Sequence, residues 1–344
     1  GISAGGVLTM SDTPVDPTAF AGRTVLVTGA GGFIGSHLVE RLVALGARVR
    51  AFVRYTSHGG AGWLDRSPVR GDIEVVRGDL ADRDSVEAAA EGCDIALHLG
   101  ALIAIPYSYQ APESYVRTNV IGTLNVLQAA RRHGLSRVVH VSTSEVYGTA
   151  QIVPMTEAHP LVGQSPYSAT KIGADKLAES YCLSFGTPVV TLRPFNTFGP
   201  RQSARAVIPT LITQALAGQT VRLGDLRPTR DFVFVDDTVE GFVRAALTPG
   251  IEGETIHLGT GVETSVSELI DRVRAVTGAD FEVISEAERL RPEASEVMRL
   301  IADAGHARAR LGWAPTVTLD HGLARTTDFI RAHADLYRPR EYAV

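Results

Sequence analysis

The sequence predicts an α/β fold, in which a doubly wound parallel sheet is followed by a smaller C-terminal mixed α/β lobe. Short apolar strand patterns alternate with helical patterns from residue 24 to residue 193, which is typical of a parallel sheet with helices on both faces. A glycine-rich turn separates the first strand pattern from the first helix pattern, at the place where such sheets bind ligands. The chain has 344 residues, of which 44% are hydrophobic, enough for a large core.

The individual elements are predicted from hydrophobic periodicity. Strands are expected to begin near Thr24, Arg48, Ile73, Ile95, Arg137 and Val189, with helices over residues 33–45, 85–90, 115–133 and 167–185. After Pro194 the loops become richer in proline and arginine, and helices are expected over residues 207–217, 236–247, 265–277 and 320–332. We therefore predict a flexible tail over residues 1–19, a sheet domain over residues 20–194 and a smaller lobe, interleaved with it, over residues 195–335.

Composition excludes several classes of function. The net charge of −5 gives no general attraction to nucleic acid, and no apolar stretch is long enough for a membrane span. Residues 1–19 lack the basic and apolar regions of a signal peptide. Cys93 and Cys182 are far apart and show neither a metal-ligand spacing nor a disulfide framework. We expect a cytoplasmic protein without a metal site, a nucleic-acid partner or a membrane partner.

The glycine-rich turn predicts a nucleotide site. Glycines occupy positions 29, 32 and 35, after the strand pattern of residues 24–28 and at the start of the first helix. This arrangement allows a tight turn and a close backbone approach to a pyrophosphate at a helix N-terminus. The sheet domain is thus expected to be a Rossmann domain that binds a dinucleotide, NAD or NADP. Pyrophosphate-side contacts are expected from Gly29, Gly32, Phe33, Ile34 and Gly35.

The second strand leaves the choice between the two cofactors open. A carboxylate at its end commonly binds the ribose 2′-hydroxyl of NAD, whereas an arginine accommodates the 2′-phosphate of NADP. Arg54 occupies this place. Further cofactor contacts are expected near the ends of the other strands and on the helix after the fourth strand, from Asp79, Leu80, Leu99, Ala101, Asn119, Ser142 and Pro194.

The most informative pair in the chain is Tyr167 and Lys171. The two residues are four apart and therefore share a face of the predicted helix. An ammonium group next to a phenol stabilises the phenolate, so the pair is suited to proton abstraction. The segment from Ser142 to Glu145 follows the fifth strand, which places hydroxyl groups and a carboxylate at the same edge of the sheet. Candidate catalytic residues are Thr143, Ser144, Glu145, Tyr167 and Lys171.

Together these motifs resemble the extended short-chain dehydrogenases/reductases, and the resemblance covers residues 24–323. It implies a C-terminal nucleotide-sugar lobe, a tyrosine that takes a proton from a sugar hydroxyl, and a lysine that binds the nicotinamide ribose. In this chain these roles fall to Tyr167 and Lys171, and Thr143 is expected to help hold the sugar oxygen. Both Tyr167 and Lys171 are accordingly expected to contact the cofactor. The resemblance also implies substrate contacts from Asn196, Arg201, Val207, Ile208, Arg230 and Arg291.

Glu145 favours one branch of this family. A carboxylate here resembles the nucleotide-sugar 4,6-dehydratases, in which it removes the C5 proton, whereas 4-epimerases usually have a small or apolar residue. The thymidine-diphosphoglucose dehydratases have aspartate at the place of Ser144, so the separate acid for the leaving hydroxyl is missing and Glu145 is expected to act as base and then as acid. The leading interpretation is an NAD(P)-dependent 4,6-dehydratase. The alternatives are a 4-epimerase, a uronate decarboxylase or a non-catalytic nucleotide-binding regulator.

Two finer expectations concern the substrate and the assembly. Residues 101–109, 167–177 and 295–297 resemble dehydratases that act on nucleotide-linked N-acetylglucosamine on the way to legionaminic acid. In this family the helices that match residues 115–133 and 167–185 often form a four-helix dimer interface, so a homodimer is expected. The apolar residues expected at that interface are Val120, Leu124, Leu127, Ile172, Leu177 and Leu183.

Overall fold

The fold was analysed in a computed structural model that describes residues 13–218, 220–286 and 297–337. Its centre is a seven-stranded sheet in the order β11-β6-β5-β4-β1-β2-β3, and every neighbouring pair is parallel. The strands are β1 (Thr24–Thr28), β2 (Arg48–Arg54), β3 (Glu74–Gly78), β4 (Ile95–His98), β5 (Arg137–Val141), β6 (Val189–Pro194) and β11 (Thr255–Leu258). The predicted doubly wound α/β class is confirmed.

The direction of winding changes between β1 and β4, which are neighbours in the sheet although two strands separate them in the chain. At such a switch point the loops after the two strands separate and leave a crevice at the carboxyl edge. The seventh strand was not predicted. It comes from the second half of the chain and pairs with β6, Thr255 lying opposite Thr191.

Six helices lie among the first six strands of the sheet. They are α1 (Phe33–Ala44), α2 (Arg83–Ala90), α3 (Ile105–Gln110), α4 (Pro112–Tyr115), α5 (Gly122–His133) and α6 (Pro166–Phe185). A π-helical turn over Val116–Ile121 joins α4 to α5, where one uninterrupted helix was predicted. Such turns are frequent at functional sites, and this one contains Asn119.

The second half of the chain forms short paired strands and further helices. The strand pairs are β7 (Asn196–Phe198) with β10 (Phe232–Phe234), β8 (Val221–Leu223) with β13 (Val283–Ser285), and β9 (Thr229–Arg230) with β12 (Thr264–Ser265). The helices are α7 (Val207–Leu216), α8 (Val235–Leu247), α9 (Val266–Thr277), α10 (Gly305–Leu311) and α11 (Leu319–Ala332).

The sheet and the second half share a core. One buried apolar cluster includes Leu192 of β6, Leu211 of α7 and Phe242 of α8. Helix α8 packs against α1, on the side of the sheet opposite α5 and α6. The proposed domain boundary at residue 194 therefore does not separate two apolar cores.

Candidate active site

The glycine turn has the shape that a pyrophosphate site requires. Gly29 has a φ of +64°, and a Cβ atom at this position would lie 2.9 Å from the backbone nitrogen of Gly100. A Cβ atom at Gly35 would lie 2.0 Å from the carbonyl oxygen of Gly29. Helix α1 begins directly after Gly32, where no side chain caps the helix within the described residues. The backbone N–H groups of this first turn therefore fit an anionic ligand such as a dinucleotide pyrophosphate.

The residues expected near the adenosine end lie at the edge of β2 and β3. Arg54 is exposed and ends β2, where it lies opposite Gly78 in the strand register. Asp79 follows directly and is also exposed, with one carboxylate oxygen accepting a hydrogen bond from the backbone of Ala81 at 2.9 Å. Leu80 is buried. A cationic and an anionic side chain thus stand at neighbouring strand ends.

The end of β4 is held by buried hydrogen bonds. His98 Nδ1 lies 2.7 Å from Thr28 Oγ1, and His98 Nε2 lies 3.0 Å from Thr123 Oγ1. Thr28 Oγ1 also accepts a hydrogen bond from the backbone of Gly100 at 2.9 Å. Burial lowers the pKa of His98 well below its ordinary value, and the contacts of both ring nitrogens with threonine hydroxyl groups indicate a structural role.

Asn119 connects the segment after β4 to helix α6. Its Oδ1 accepts a hydrogen bond from the backbone of Leu102 at 2.9 Å, and its Nδ2 donates to Leu102 O and to Thr170 Oγ1, both at 3.1 Å. Leu99 and Ala101, which were predicted to contact the cofactor, are half-buried in the same segment. The side chain of Asn119 therefore fixes the segment on which those two residues lie.

Helix α6 places Tyr167 and Lys171 on one buried face. The helix starts with a capping box between Ser165 and Ser168 and has Pro166 at its first position, so its first turn is well defined. The Thr143 side chain lies near the Tyr167 hydroxyl, where it acts to lower the pKa of the phenol. Lys171 Nζ donates to the carbonyl oxygen of Val141, at the end of β5, at 2.9 Å.

The protonation of this pair differs from the expectation. Burial raises the pKa of the Tyr167 phenol, against the Thr143 side chain that lowers it, and the charge of Glu145 adds to the increase. Burial also lowers the pKa of Lys171, which Asp175 opposes. Both shifts disfavour the charged form, so the protein by itself does not favour a phenolate.

Glu145 lies on a short 3₁₀ helix, Ser144–Tyr147, that follows β5, and Thr143 directly precedes this helix. Thr143 caps this helix, since its Oγ1 accepts a hydrogen bond from the backbone nitrogen of Glu145 at 3.2 Å. A Glu145 carboxylate oxygen lies 3.9 Å from Nη2 of Arg230, which is buried on β9 of the second half. The structure thus brings Thr143, Glu145 and Tyr167 together with one of the arginines predicted to bind the substrate.

The two serine residues on either side of Thr143 are buried. Ser142 Oγ donates to a carboxylate oxygen of Asp175 at 2.6 Å, so this hydroxyl is engaged inside the protein. Ser144 is 2% exposed. Their predicted cofactor and catalytic roles remain predictions.

The remaining predicted substrate residues are more dispersed. Asn196 begins β7, and its backbone nitrogen donates to the carbonyl oxygen of Asp231 at 3.0 Å. Arg201 has a φ of +75°, and its guanidinium group pairs with Glu40 of α1. Pro194 ends β6, Val207 and Ile208 begin α7, and Arg291 lies outside the described residues.

Sequence reasoning missed a buried ionic network behind the crevice. Asp175 accepts hydrogen bonds from His140 at 2.9 Å and from Arg193 at 3.2 and 3.3 Å. Arg193 also donates to the Tyr147 hydroxyl at 2.8 Å. The available signal was the position of Asp175, four residues after Lys171 and hence on the same helix face.

Residues 13–218, 220–286 and 297–337 contain no cluster of three or more histidine, cysteine or carboxylate side chains placed to hold a metal ion. Among the helices of the same ranges, none combines the length and the apolar character that a membrane span requires.

The chain matches a protein-family model described as GDP-mannose 4,6 dehydratase over residues 26–326. A UDP-glucose 4-epimerase of Mycolicibacterium smegmatis is 38% identical over 89% of this chain and 98% of that protein. A dTDP-glucose 4,6-dehydratase of Streptomyces antibioticus is 35% identical over 92% of this chain and 94% of that protein.

Solved structures show the same likeness. The dTDP-glucose 4,6-dehydratase DesIV of Streptomyces venezuelae, crystallised with NAD, matches with a TM-score of 0.83 and 33% identity, over 92% of this chain and all of that chain. A UDP-glucose 4-epimerase of Thermotoga maritima, solved with UDP-glucose, matches with a TM-score of 0.83 and 28% identity, over 90% of this chain and 99% of that chain. The chain therefore belongs to the GDP-mannose 4,6-dehydratase family, within the extended short-chain dehydrogenases/reductases that include nucleotide-sugar dehydratases and epimerases.

Proposed function

We propose that the protein is an NAD(P)-dependent nucleotide-sugar 4,6-dehydratase, which converts a nucleotide-linked hexose to the 4-keto-6-deoxy sugar. The observation that carries this proposal is the position of Glu145. Its carboxylate lies on the same short segment as Thr143, and both side chains are close enough to Tyr167 to influence the pKa of its phenol. A dehydratase needs a second proton-transfer group beside the tyrosine, whereas a 4-epimerase does not.

Each side chain has a defined task in this reaction. Tyr167 accepts the proton of the sugar O4 hydroxyl as a phenolate, a form that the positive charge of a bound oxidised nicotinamide would favour. Thr143 holds that oxygen, and Lys171 binds the nicotinamide ribose. Glu145 removes the C5 proton, which the 4-keto group has made acidic, and passes it to the 6-hydroxyl group, which leaves as water. When hydride is returned to C6, C5 takes up a proton from solvent. A bound nicotinamide supplies a reversible hydride acceptor for C4 oxidation and C6 reduction. The residues around Gly29, Gly32 and Gly35 hold its dinucleotide, together with the other cofactor residues predicted from the sequence.

The substrate is proposed to be a nucleotide-linked N-acetylglucosamine, as in the legionaminic-acid-type dehydratases. Arg230 supports a diphosphate-linked substrate, because a guanidinium group that is buried near the crevice can bind phosphate oxygens two at a time. Asn196, Val207 and Ile208 are proposed to line the nucleotide side. We place this reaction in the cytoplasm.

The second candidate is a nucleotide-sugar 4-epimerase, which the likeness to the Mycolicibacterium smegmatis enzyme favours. Both reactions begin with oxidation at C4, so Tyr167, Lys171 and Thr143 serve either one. Glu145 distinguishes them, because epimerisation requires no proton transfer at C5. A uronate decarboxylase shares the same first step.

The experiment that tests this proposal is incubation of the purified protein, with NAD and separately with NADP, against a panel of nucleotide-linked hexoses. Uridine, guanosine, thymidine and cytidine diphosphate sugars should be included, with and without an N-acetyl group at C2. We expect a product that is lighter by one water molecule. An unchanged mass with an altered sugar configuration identifies an epimerase, and loss of carbon dioxide identifies a decarboxylase. Absence of turnover with every sugar favours a binding protein.

Arg54 gives a test of cofactor choice. If its guanidinium group binds a 2′-phosphate, replacement of Arg54 by aspartate should shift the ratio of the dissociation constants toward NAD by about tenfold or more, since hydrogen bonds to charged groups contribute about 1.5–3 kcal/mol. Titration of each cofactor against intrinsic fluorescence measures this ratio. Arg48→Asp makes the same charge change at the exposed opposite end of β2 and should leave the ratio unchanged. An equal ratio in Arg54→Asp and the wild type contradicts a phosphate-binding role.

We also propose that the protein is a homodimer formed through α5 and α6. These helices pack together, and Leu183 of α6 is 79% exposed. Leu127, which was expected at the interface, lies instead in the core of the subunit. Sedimentation at micromolar concentration should show a dimer, and Leu183→Glu should shift it toward monomer because a charge would be buried. Ile284→Glu, which changes an exposed residue of β13, should remain dimeric; a monomeric wild type contradicts the proposal.

A further inference from the structure

Asp175 is a buried carboxylate for which the proposed reaction has no direct use. It is 4% exposed and lies on α6, one turn after Lys171. Oδ1 accepts a hydrogen bond from His140 Nε2, and Oδ2 accepts from Ser142 Oγ and from Arg193. Burial acts to raise the pKa of Asp175, but the hydrogen bonds and the charge of Arg193 together hold it below its ordinary value. The group is therefore an ionised carboxylate with donors on both oxygens.

Asp175 is connected to both ends of the segment that carries Thr143 and Glu145, directly through Ser142 and indirectly through Arg193. Ser142 precedes that segment directly, and its hydroxyl donates to Asp175 at 2.6 Å. Tyr147 ends the segment, and its hydroxyl accepts a hydrogen bond from Nη1 of Arg193 at 2.8 Å. The same arginine donates through Nε and Nη2 to Asp175. One carboxylate is thus connected to both ends of the short helix.

The other two proposed catalytic residues, Tyr167 and Lys171, lie on the same helix as Asp175. Tyr167 lies two turns before it and Lys171 one turn before it. Lys171 Nζ in addition donates to Val141 O, directly before Ser142. Asp175 therefore lies between two rigid parts of the site, the helix with the tyrosine and lysine and the strand end with the threonine and glutamate.

We propose that Asp175 is a positioning residue, which fixes the Thr143–Glu145 segment against the helix that carries Tyr167 and Lys171. This inference rests on the proposed function, since it concerns the geometry of the same site. Catalytic groups depend strongly on placement, and a displacement of about 1 Å can cost roughly a hundredfold in rate. Removing the charge leaves the donors from Ser142, His140 and Arg193 competing for one amide oxygen, which loosens the segment.

The test compares Asp175→Asn with a matched control, Asp237→Asn. Asp237 is also buried, on α8, and its carboxylate accepts hydrogen bonds from the backbone of Thr316 and Val317 and from the hydroxyl of Thr316 at 2.9–3.0 Å. Both substitutions should lower the melting temperature. In the folded fraction, Asp175→Asn should lower kcat by roughly a hundredfold, with KM changed much less, whereas Asp237→Asn should keep kcat close to that of the wild type.

A single-turnover measurement separates positioning from loss of folded protein. Reduction of the bound cofactor reports C4 oxidation, and release of the dehydrated sugar reports removal of the C5 proton by Glu145. Asp175→Asn should slow the second step more than the first, because Glu145 lies in the segment that has lost its anchor while Tyr167 remains within α6. A structural defect alone would lower both amplitudes and leave both rates unchanged, and that result overturns the proposal.

Tyr147→Phe provides a milder variant if Asp175→Asn does not fold. It keeps the ring and removes the hydroxyl that Arg193 contacts, and a smaller slowing of the second step, about tenfold, supports the proposal. Wild-type rates for both steps in Tyr147→Phe overturn it in that case. If the wild type dehydrates no sugar nucleotide, the proposed function fails separately. The positioning role of Asp175 is then tested by the rate of C4 oxidation in Asp175→Asn, because Thr143, which holds the sugar oxygen in that step, lies on the same segment. An unchanged rate contradicts the proposal.

Discussion

Tyr167→Phe should abolish the first chemical step, so that substrate no longer reduces the bound cofactor. The phenol oxygen is the group proposed to accept the O4 proton, and general acid–base groups of this kind contribute about a hundred- to ten-thousand-fold to rate. The variant should still fold, because phenylalanine keeps the aromatic ring, which packs edge-on against Tyr115 with 6.3 Å between the ring centroids. Loss of the phenol oxygen beside Thr143 should lower the free energy of unfolding by at most about 1.5 kcal/mol. Cofactor absorbance on addition of substrate and denaturant unfolding measure the two effects.

Tyr115→Phe is the matched control for this variant. Tyr115 belongs to the same small apolar cluster as Tyr167, and its hydroxyl donates to the carbonyl oxygen of Ala104. Replacing it removes a phenol from the same surroundings but leaves the proposed proton acceptor in place. Stability should decrease in both variants, while cofactor reduction should be lost in Tyr167→Phe alone. Cofactor reduction at the wild-type rate in Tyr167→Phe would mean that another group takes the O4 proton.

The parts of the fold that local sequence patterns determine were predicted well. The first strand, the glycine turn and α1 follow each other within about twenty residues, and each has its own periodicity or turn chemistry. The helix with Tyr167 and Lys171 was predicted to within one residue at its start, since the structure has Pro166–Phe185. Proline at the first position and a serine cap are local signals for such a start.

The features that were not predicted depend on pairings between distant residues. Strand β11 has four residues, and its place in the sheet is set by β6, more than sixty residues earlier in the chain. Arg201 pairs with Glu40, which is 161 residues away in the chain, whereas its expected contact with the substrate stays a prediction. Neither pairing produces a periodic pattern in the local sequence, because the partner of each residue is determined by the packing of the whole chain.

In the candidate site, too, the features set by local sequence were predicted and those set by distant contacts were not. Spacing along α6 placed Tyr167 and Lys171 on one face, and the order of the strands placed Glu145 at the carboxyl edge of the sheet. The direction of the Tyr167 pKa shift was not predicted, because it is dominated by burial. Burial of this residue results from its packing with Tyr115 and Ile105, which precede it by more than fifty residues.

Glu145→Gln should separate the dehydratase from the epimerase within a single experiment. Glutamine keeps the shape of the side chain but is not a base, so removal of the C5 proton should be slowed by about a hundred- to ten-thousand-fold. Tyr167, Lys171 and Thr143 are unchanged, so substrate should still reduce the bound cofactor. We therefore expect reduced cofactor to accumulate while almost no 4-keto-6-deoxy product is released. Rapid-mixing absorbance and mass spectrometry of the sugar follow the two quantities.

Glu157→Gln is the control for the loss of a carboxylate from this region. Glu157 accepts a hydrogen bond from the backbone of His257 at 3.2 Å and has no proposed role in proton transfer, so its replacement should leave the ratio of oxidation to product release unchanged. Incorporation of deuterium from solvent at C5 gives an independent measurement. A working base exchanges the C5 hydrogen with solvent, so the wild type should incorporate deuterium there and Glu145→Gln should not. If Glu145→Gln releases dehydrated sugar at the wild-type rate, Glu145 is not the base. If the wild type inverts C4 without loss of water and Glu145→Gln does the same, the enzyme is an epimerase, in which this carboxylate has another task, such as pairing with Arg230.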